Sequence, residues 1–215
     1  MSPALTDALE AVYEVFRAPA PAKIDGCPCC VERKTVKALH TSALRDLTAD
    51  DLGAYAASVF LTVGALRDFR YFLPRILELA ITDRGFSIGV EVVVGKLSLA
   101  EWKTWTRHEQ AAVHNLLDIW FDAVAAECAS NWDGFDDGID ELLCGIGRAG
   151  VDPIPYIERQ LTDERSFALN VLWEVNRQSI ARKGRLSNAF WAGADDAHAA
   201  VLTRLHAPDI QAIVD

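Results

Sequence analysis

The sequence predicts an all-α protein, a single domain of about nine or ten helices. Apolar residues recur with a period near 3.6 along almost the whole chain, as on one face of an α-helix. Helix-capping signals precede several of these stretches. Only residues 88–97 also alternate as a strand does, and no second such segment is present to pair with them. We therefore interpret 88–97 as a helix as well.

The N-terminal part of the chain contains three clear helical stretches. The first is predicted over residues 5–16 and a short second one over 31–39. Thr48 followed by Asp51 is typical of a capping box, with an acid at the third helical position. The apolar spacing after it predicts a helix that ends at Gly64, because glycine is the usual residue at a helix C-terminus.

The middle of the chain continues the same period. Residues 66–80 form an apolar stripe interrupted by Pro74, which is expected to kink the helix or to begin a second one. Thr106 and Glu109 match a second capping box, ahead of a long helix predicted to end near Cys128.

The C-terminal part has a helix–turn–helix rhythm. Helices are predicted over 139–146, from Asp152 and Pro153 to residue 161, from Asp163 onward, and over 195–205. The stretch 139–176 is similar to HEAT-type antiparallel stacking, although no fixed repeat is present. We read residues 1–215 as one domain with a weak seam near 128–136.

Composition limits the classes of partner. With 51% apolar residues the chain can form a sizeable core, but no apolar run approaches the roughly 20 residues of a membrane span. The N-terminus has no leader pattern, so a cytoplasmic protein is expected. The net charge of −10 opposes binding to nucleic acid or to an anionic membrane and favours a basic protein partner.

The GCPCC segment has three interpretations. Cys27, Cys29 and Cys30, with His40 as a further ligand, could hold zinc, although adjacent cysteines do not easily point at one ion. Cys27 and Cys30 form a Cys-x-x-Cys pair, but the preceding residues do not form the strand that a redox motif of this kind requires. The favoured interpretation is reduced cysteines packed beneath a turn, with no cofactor.

Arginines accompany the aromatic run DFRYFLPRILEL. Arg67, Arg70 and Arg75 could line an anion site, since guanidinium groups bind carboxylates and stack on aromatic rings. The favoured interpretation is that they pair with acids on neighbouring helices. No nucleophile or general base accompanies them, and the chain has no phosphate loop, GxSxG or HExxH motif. No catalytic residue is predicted.

GCPCC, LRDLTADDL, FRYFLPRILEL and GKLSLAEWKTW together resemble an uncharacterised bacterial family. The resemblance extends from the first helix to the FWAG segment. It implies a single helical unit, and because that family has no assigned activity it implies no catalytic residues.

Three functions follow in order of preference. The first is an acidic helical module that binds another protein, for example a toxin-neutralising immunity protein. The alternative is a zinc-binding protein centred on GCPCC, and the third is an enzyme with an arginine-lined anion site.

Overall fold

The computed structural model describes residues 1–24, 33–83, 85–131, 138–161 and 166–214. These residues form eleven α-helices and three short 3-10 helices, and among them the only β-type pairing is one isolated bridge between Val59 and Val63. The all-α class is confirmed, and residues 90–97 of the segment 88–97 are helical as expected.

The chain divides into two compact units, Met1–Leu116 and Leu117–Asp215. The first contains α1 (Pro3–Val15), α2 (Arg33–Thr41), α3 (Ala49–Ser58), α4 (Leu66–Thr82), α5 (Val90–Leu99) and the beginning of α6 (Arg107–Asn131). The second contains the remainder of α6, then α7 (Gly138–Arg148), α8 (Ile154–Glu158), α9 (Ser166–Lys183), α10 (Asp195–Leu205) and α11 (Pro208–Val214). The boundary between these units lies inside α6, and the seam near 128–136 stays a prediction. The single domain stays a prediction.

Both capping boxes are present. The backbone N–H of Asp51 donates to Thr48 Oγ1 at 3.3 Å, and the Thr48 N–H donates to Asp51 Oδ2 at 2.9 Å. Thr106 and Glu109 make the same reciprocal pair at 3.3 and 2.9 Å. These bonds satisfy backbone donors that the first turn of a helix leaves unpaired, which is why the two helix starts could be located from sequence.

The predicted end of α3 was wrong. The helix ends at Ser58, and Phe60 has a φ of 66°, a left-handed conformation that is costly for an aromatic residue. Buried Lys96 of α5 explains the early end, because its ammonium group donates to the carbonyls of Ala57 and Val59 at 2.8 and 3.1 Å. These carbonyls are therefore satisfied without a further turn of helix.

Of the two outcomes expected at Pro74, a kink or the start of a second helix, the second does not occur, because α4 runs through Pro74 as one helix of 17 residues. An internal proline removes a backbone hydrogen bond and costs about 3 kcal/mol. Phe72, Leu73 and Leu77 are almost fully buried around it, and each contributes roughly 1.5–3 kcal/mol. Burial of this apolar face therefore outweighs the lost hydrogen bond.

In the first unit, α4 is the central helix and packs against α1, α3 and α5, while α2 packs against α3. Aromatic side chains fill the space beside α4. Tyr55 and Phe60 make edge-to-face contacts with Phe72 and Phe69, each with ring centroids 5.0 Å apart. This aromatic packing holds the turn between α3 and α4 against the core.

In the second unit, α7 packs against α9 and α10, and α11 packs against α9. Gly147 permits the close approach of α7, since a Cβ at this position would lie 2.9 Å from the Cβ of Ala197 and 3.0 Å from Trp191 Cζ3. The last helix, α11, was not predicted. It begins at Pro208, and proline is favoured at the first position of a helix.

A buried polar network lies within the second unit. Asn176 is fully buried and donates to Asp140 Oδ1 at 2.8 Å and to the Leu172 carbonyl at 2.9 Å. Its carbonyl accepts from the backbone N–H of Ser187 at 2.7 Å and from the Ser187 hydroxyl at 3.1 Å. Asn176 thus joins α7 and α9 to the segment that follows α9.

Candidate functional site

The predicted metal site falls mostly outside the described residues. Cys27, Cys29 and Cys30 are not among them, and His40 is an exposed residue of α2. Within the described ranges, no three His, Cys, Asp or Glu side chains lie close enough together to hold a metal ion.

The three arginines of the predicted anion site all belong to α4, but they differ in their contacts. Arg67 is exposed and makes no ion pair with any residue that the structure describes. Arg70 pairs with the buried carboxylate of Glu109, and its guanidinium carbon lies 5.8 and 5.2 Å from the ring centroids of Phe16 and Trp105. Arg70 therefore connects the end of α1 to the residues at the start of α6.

Arg75 belongs to a half-buried network that joins α1 to α4. Its Nη1 donates to Glu78 Oε2 at 2.6 Å, and its Nε donates to the Leu47 carbonyl at 2.7 Å. The same Glu78 oxygen accepts from the Tyr13 hydroxyl at 2.5 Å. Arg75 thus has two internal acceptors, the carboxylate of Glu78 on its own helix and the backbone carbonyl of Leu47.

Two groups of this network have shifted pKa values, and both shifts are away from neutral pH. Burial, together with the hydrogen bond to Glu78, raises the pKa of the Tyr13 hydroxyl well above its ordinary value. Burial alone would raise the pKa of Glu78, but the hydrogen bonds from Tyr13 and Arg75 outweigh it and lower that pKa. Both shifts favour the forms that these groups ordinarily have at neutral pH, an uncharged hydroxyl and a carboxylate.

A cleft of about 360 Å³ opens beside this network, between α1, the 3-10 helix Leu44–Asp46 and α4. Arg45 lies on one wall. Its guanidinium forks onto Glu10, with Nη1–Oε1 at 2.9 Å and Nη2–Oε2 at 2.6 Å. The guanidinium carbon also lies 3.7 Å from the centroid of the Tyr13 ring, which is a close cation–π contact.

The rest of the cleft combines a second ion pair with aromatic residues. Arg17 Nη2 pairs with Glu14 Oε2 at 2.5 Å, and both side chains are mostly exposed. Phe16 and Tyr71 also line the cleft. The Tyr71 hydroxyl makes no hydrogen bond to any residue in the described part of the chain, and burial raises its pKa, so it remains a neutral hydroxyl.

Sequence reasoning did not find this cleft. Tyr13 lies within the first predicted helix, over residues 5–16, and Arg45 and Glu10 were given no role. Arg45 and Glu10 lie 35 residues apart in the sequence, and Tyr13 lies 65 residues from Glu78. No local sequence pattern therefore indicates these contacts. The one available signal was a tyrosine hydroxyl within an otherwise apolar stripe, since a buried hydroxyl requires a polar partner.

Charge is distributed unequally between the two units. The sequence of Met1–Leu116 has 14 acidic and 13 basic residues, a net charge of −1. Leu117–Asp215 has 17 acidic and 8 basic residues, a net charge of −9. Nearly all of the acidic surplus therefore belongs to the second unit.

Several basic residues of the second unit are already neutralised. Arg204 pairs with Glu158 at 2.5 Å and with Asp209 at 2.6 Å, and its hydrogen bonds lower the pKa of Asp209 to about 2. Arg159 pairs with Asp118 at 3.2 Å. These internal pairs leave other acids, including exposed Asp195 and Asp196 at the start of α10, facing solvent.

An exposed aromatic residue lies just before these two acids. Phe190 is 42% exposed, and Arg148 holds it by donating to its carbonyl at 2.9 Å and by lying 5.3 Å from its ring centroid. The next residue, Trp191, is buried. A rigid backbone thus presents an aromatic ring beside an acidic helix start.

No known family model, curated protein or solved structure matches this chain. No helix among the described residues is both long enough and apolar enough to cross a membrane.

Proposed function

We propose that this chain is a protein-binding module that holds a basic partner through its second unit. The observation that carries the proposal is the net charge of −9 on Leu117–Asp215, against −1 on the first unit. A surface with one sign of charge raises the rate at which an oppositely charged partner associates.

Phe190 supports the proposal by supplying an apolar contact beside the acids. Interfaces owe most of their affinity to a few anchored side chains, aromatic residues above all, whereas charges mainly set specificity and association rate. Phe190 has a fixed backbone, so it would lose little conformational freedom on binding. A toxin-neutralising immunity protein is one protein of this kind, with a basic toxin as its partner.

The partner can be sought by immobilising the full-length chain and passing over it a lysate of cells that encode it. We expect one stoichiometric basic protein that is eluted by salt, because screening weakens attraction between exposed charges. Growth arrest by this partner, relieved by co-expression of the present chain, would identify an immunity protein. Recovery of the chain alone at physiological salt, or of an acidic partner, would refute the proposal.

Calorimetric titration of the purified partner then tests the location of the site. Exposed charges contribute up to about 1 kcal/mol each, so Asp195→Asn combined with Asp196→Asn should weaken binding roughly 3- to 30-fold at low salt. The matched control is Asp46→Asn combined with Asp50→Asn, which removes two exposed acids from the first unit. Equal effects of the two pairs would show that the second unit is not the binding site.

A further inference from the structure

We propose that the cleft between α1, the 3-10 helix Leu44–Asp46 and α4 binds an uncharged, planar heteroaromatic compound of about nucleoside size. This proposal is independent of the protein-binding function, because the cleft belongs wholly to the first unit.

Arg45 provides a flat surface for such a ligand. The Tyr13 ring covers one face of its guanidinium at 3.7 Å, and the fork onto Glu10 fixes the plane in which the guanidinium lies. No other aromatic ring among the described residues stacks on it. A guanidinium held flat in this way stacks well on a planar ring, and little freedom is lost when the ring binds.

The balance of charge in the cleft selects an uncharged ligand. Its two cations, Arg45 and Arg17, are each paired with a carboxylate, of Glu10 and of Glu14 respectively. An anionic ligand would meet both carboxylates, and a cationic one would meet both guanidinium groups. A neutral ring with polar edges avoids both repulsions and keeps the two ion pairs intact.

The remaining lining determines the size and polarity of the ligand. Phe16 and Tyr71 offer apolar ring surface, and the Tyr71 hydroxyl is available to donate to, or accept from, a polar ring edge. The volume of about 360 Å³ is at the lower end of the range of about 300–1,000 Å³ for small-molecule pockets. The ligand is therefore small, with one or two aromatic rings.

The test is calorimetric titration of the full chain with three uncharged probes: adenosine, thymidine and nicotinamide. A nucleoside of ordinary ligand efficiency binds with a dissociation constant of about 0.1 mM. We expect at least one probe to bind near this value, and adenosine to bind more tightly than adenosine monophosphate. Binding by none of the three at about 5 mM, or tighter binding of the monophosphate, would overturn the proposal.

Two variants assign the binding to the cleft. Arg45→Lys keeps the positive charge beside Glu10 but removes the flat surface, and Tyr71→Phe removes only the hydroxyl; each should weaken binding about 5-fold or more. The matched control is Arg177→Lys, at an exposed arginine that pairs with Glu174 in the second unit. Unchanged melting curves show that the variants are folded. Equal affinities in all three variants would place the probe elsewhere and refute the proposal.

Discussion

Replacement of Asn176 by alanine should destabilise the second unit strongly. The side chain is fully buried and makes four hydrogen bonds, two of them to Ser187 and one to the buried carboxylate of Asp140. A hydrogen bond to a charged group contributes about 1.5–3 kcal/mol, and a buried acceptor such as Asp140 that loses a donor costs about 1–3 kcal/mol. We therefore expect the free energy of unfolding to fall by about 3–5 kcal/mol.

Two measurements check this value. Unfolding in guanidinium chloride, followed by circular dichroism, gives the change in the free energy of unfolding. Amide hydrogen exchange reports the change in protection at Ser187. Because the Ser187 N–H donates to Asn176, its exchange should accelerate by roughly 100-fold or more. The matched control is Asn115→Ala, at an exposed position of α6, which should change stability by less than about 0.5 kcal/mol. A loss below about 1 kcal/mol with unchanged Ser187 exchange would refute the reasoning.

The change Asn176→Asp separates the hydrogen bonds from the volume of the side chain. An aspartate keeps the oxygen that accepts from Ser187, but it places a second carboxylate against Asp140. We expect a loss of stability at pH 7 that is partly recovered as the pH is lowered and one of the two carboxyl groups takes up a proton.

Three further predictions concern the first unit. The pKa of Glu78 is lowered in the folded protein, so its carboxylate contributes stability above the ordinary pKa of a glutamate. This contribution is lost as the pH falls through the lowered pKa. Glu78→Gln should therefore flatten the acid limb of a plot of melting temperature against pH. Since the pKa of Tyr13 is raised, its hydroxyl contributes stability below about pH 10 that is lost in more alkaline solution, and Tyr13→Phe should remove this alkaline loss. Gly64→Ala should lower the free energy of unfolding, measured with denaturant, by more than about 1 kcal/mol, because its φ is 69° and a Cβ would lie 2.9 Å from the Tyr55 ring. Gly53→Ala, in the open middle of α3, should instead stabilise the protein by about 0.5–1 kcal/mol.

Local signals were sufficient to predict much of the fold. The two capping boxes involve residues three apart, so each could be identified within a single turn of chain. The helical period itself predicted α5 correctly although its valines also suggested a strand. Such features depend on neighbours along the chain, which a sequence displays directly.

The errors occurred where distant residues decide the local structure. The end of α3 depends on Lys96, which is 37 residues beyond Val59, and the continuity of α4 through Pro74 depends on what its neighbours bury. The cleft has the same origin, because Arg45 meets Glu10 and Tyr13 only after α1 and α4 have packed. The spacing of apolar residues along the chain does not indicate which distant residues come into contact.

The contact of Lys96 with the end of α3 makes the corner between α3 and α4 depend on a third helix, α5. Phe60 has a left-handed backbone conformation, which is unfavourable for an aromatic residue. The Lys96 ammonium group of α5 stabilises this turn through its hydrogen bonds to the carbonyls of Ala57 and Val59. A peptide comprising only residues 48–83 would lack this group. Its two helices could form, but the reversal between them would interconvert among several shapes. The native corner therefore requires α5 as well as α3 and α4, and an excised pair of helices is a poor substitute for this part of the protein.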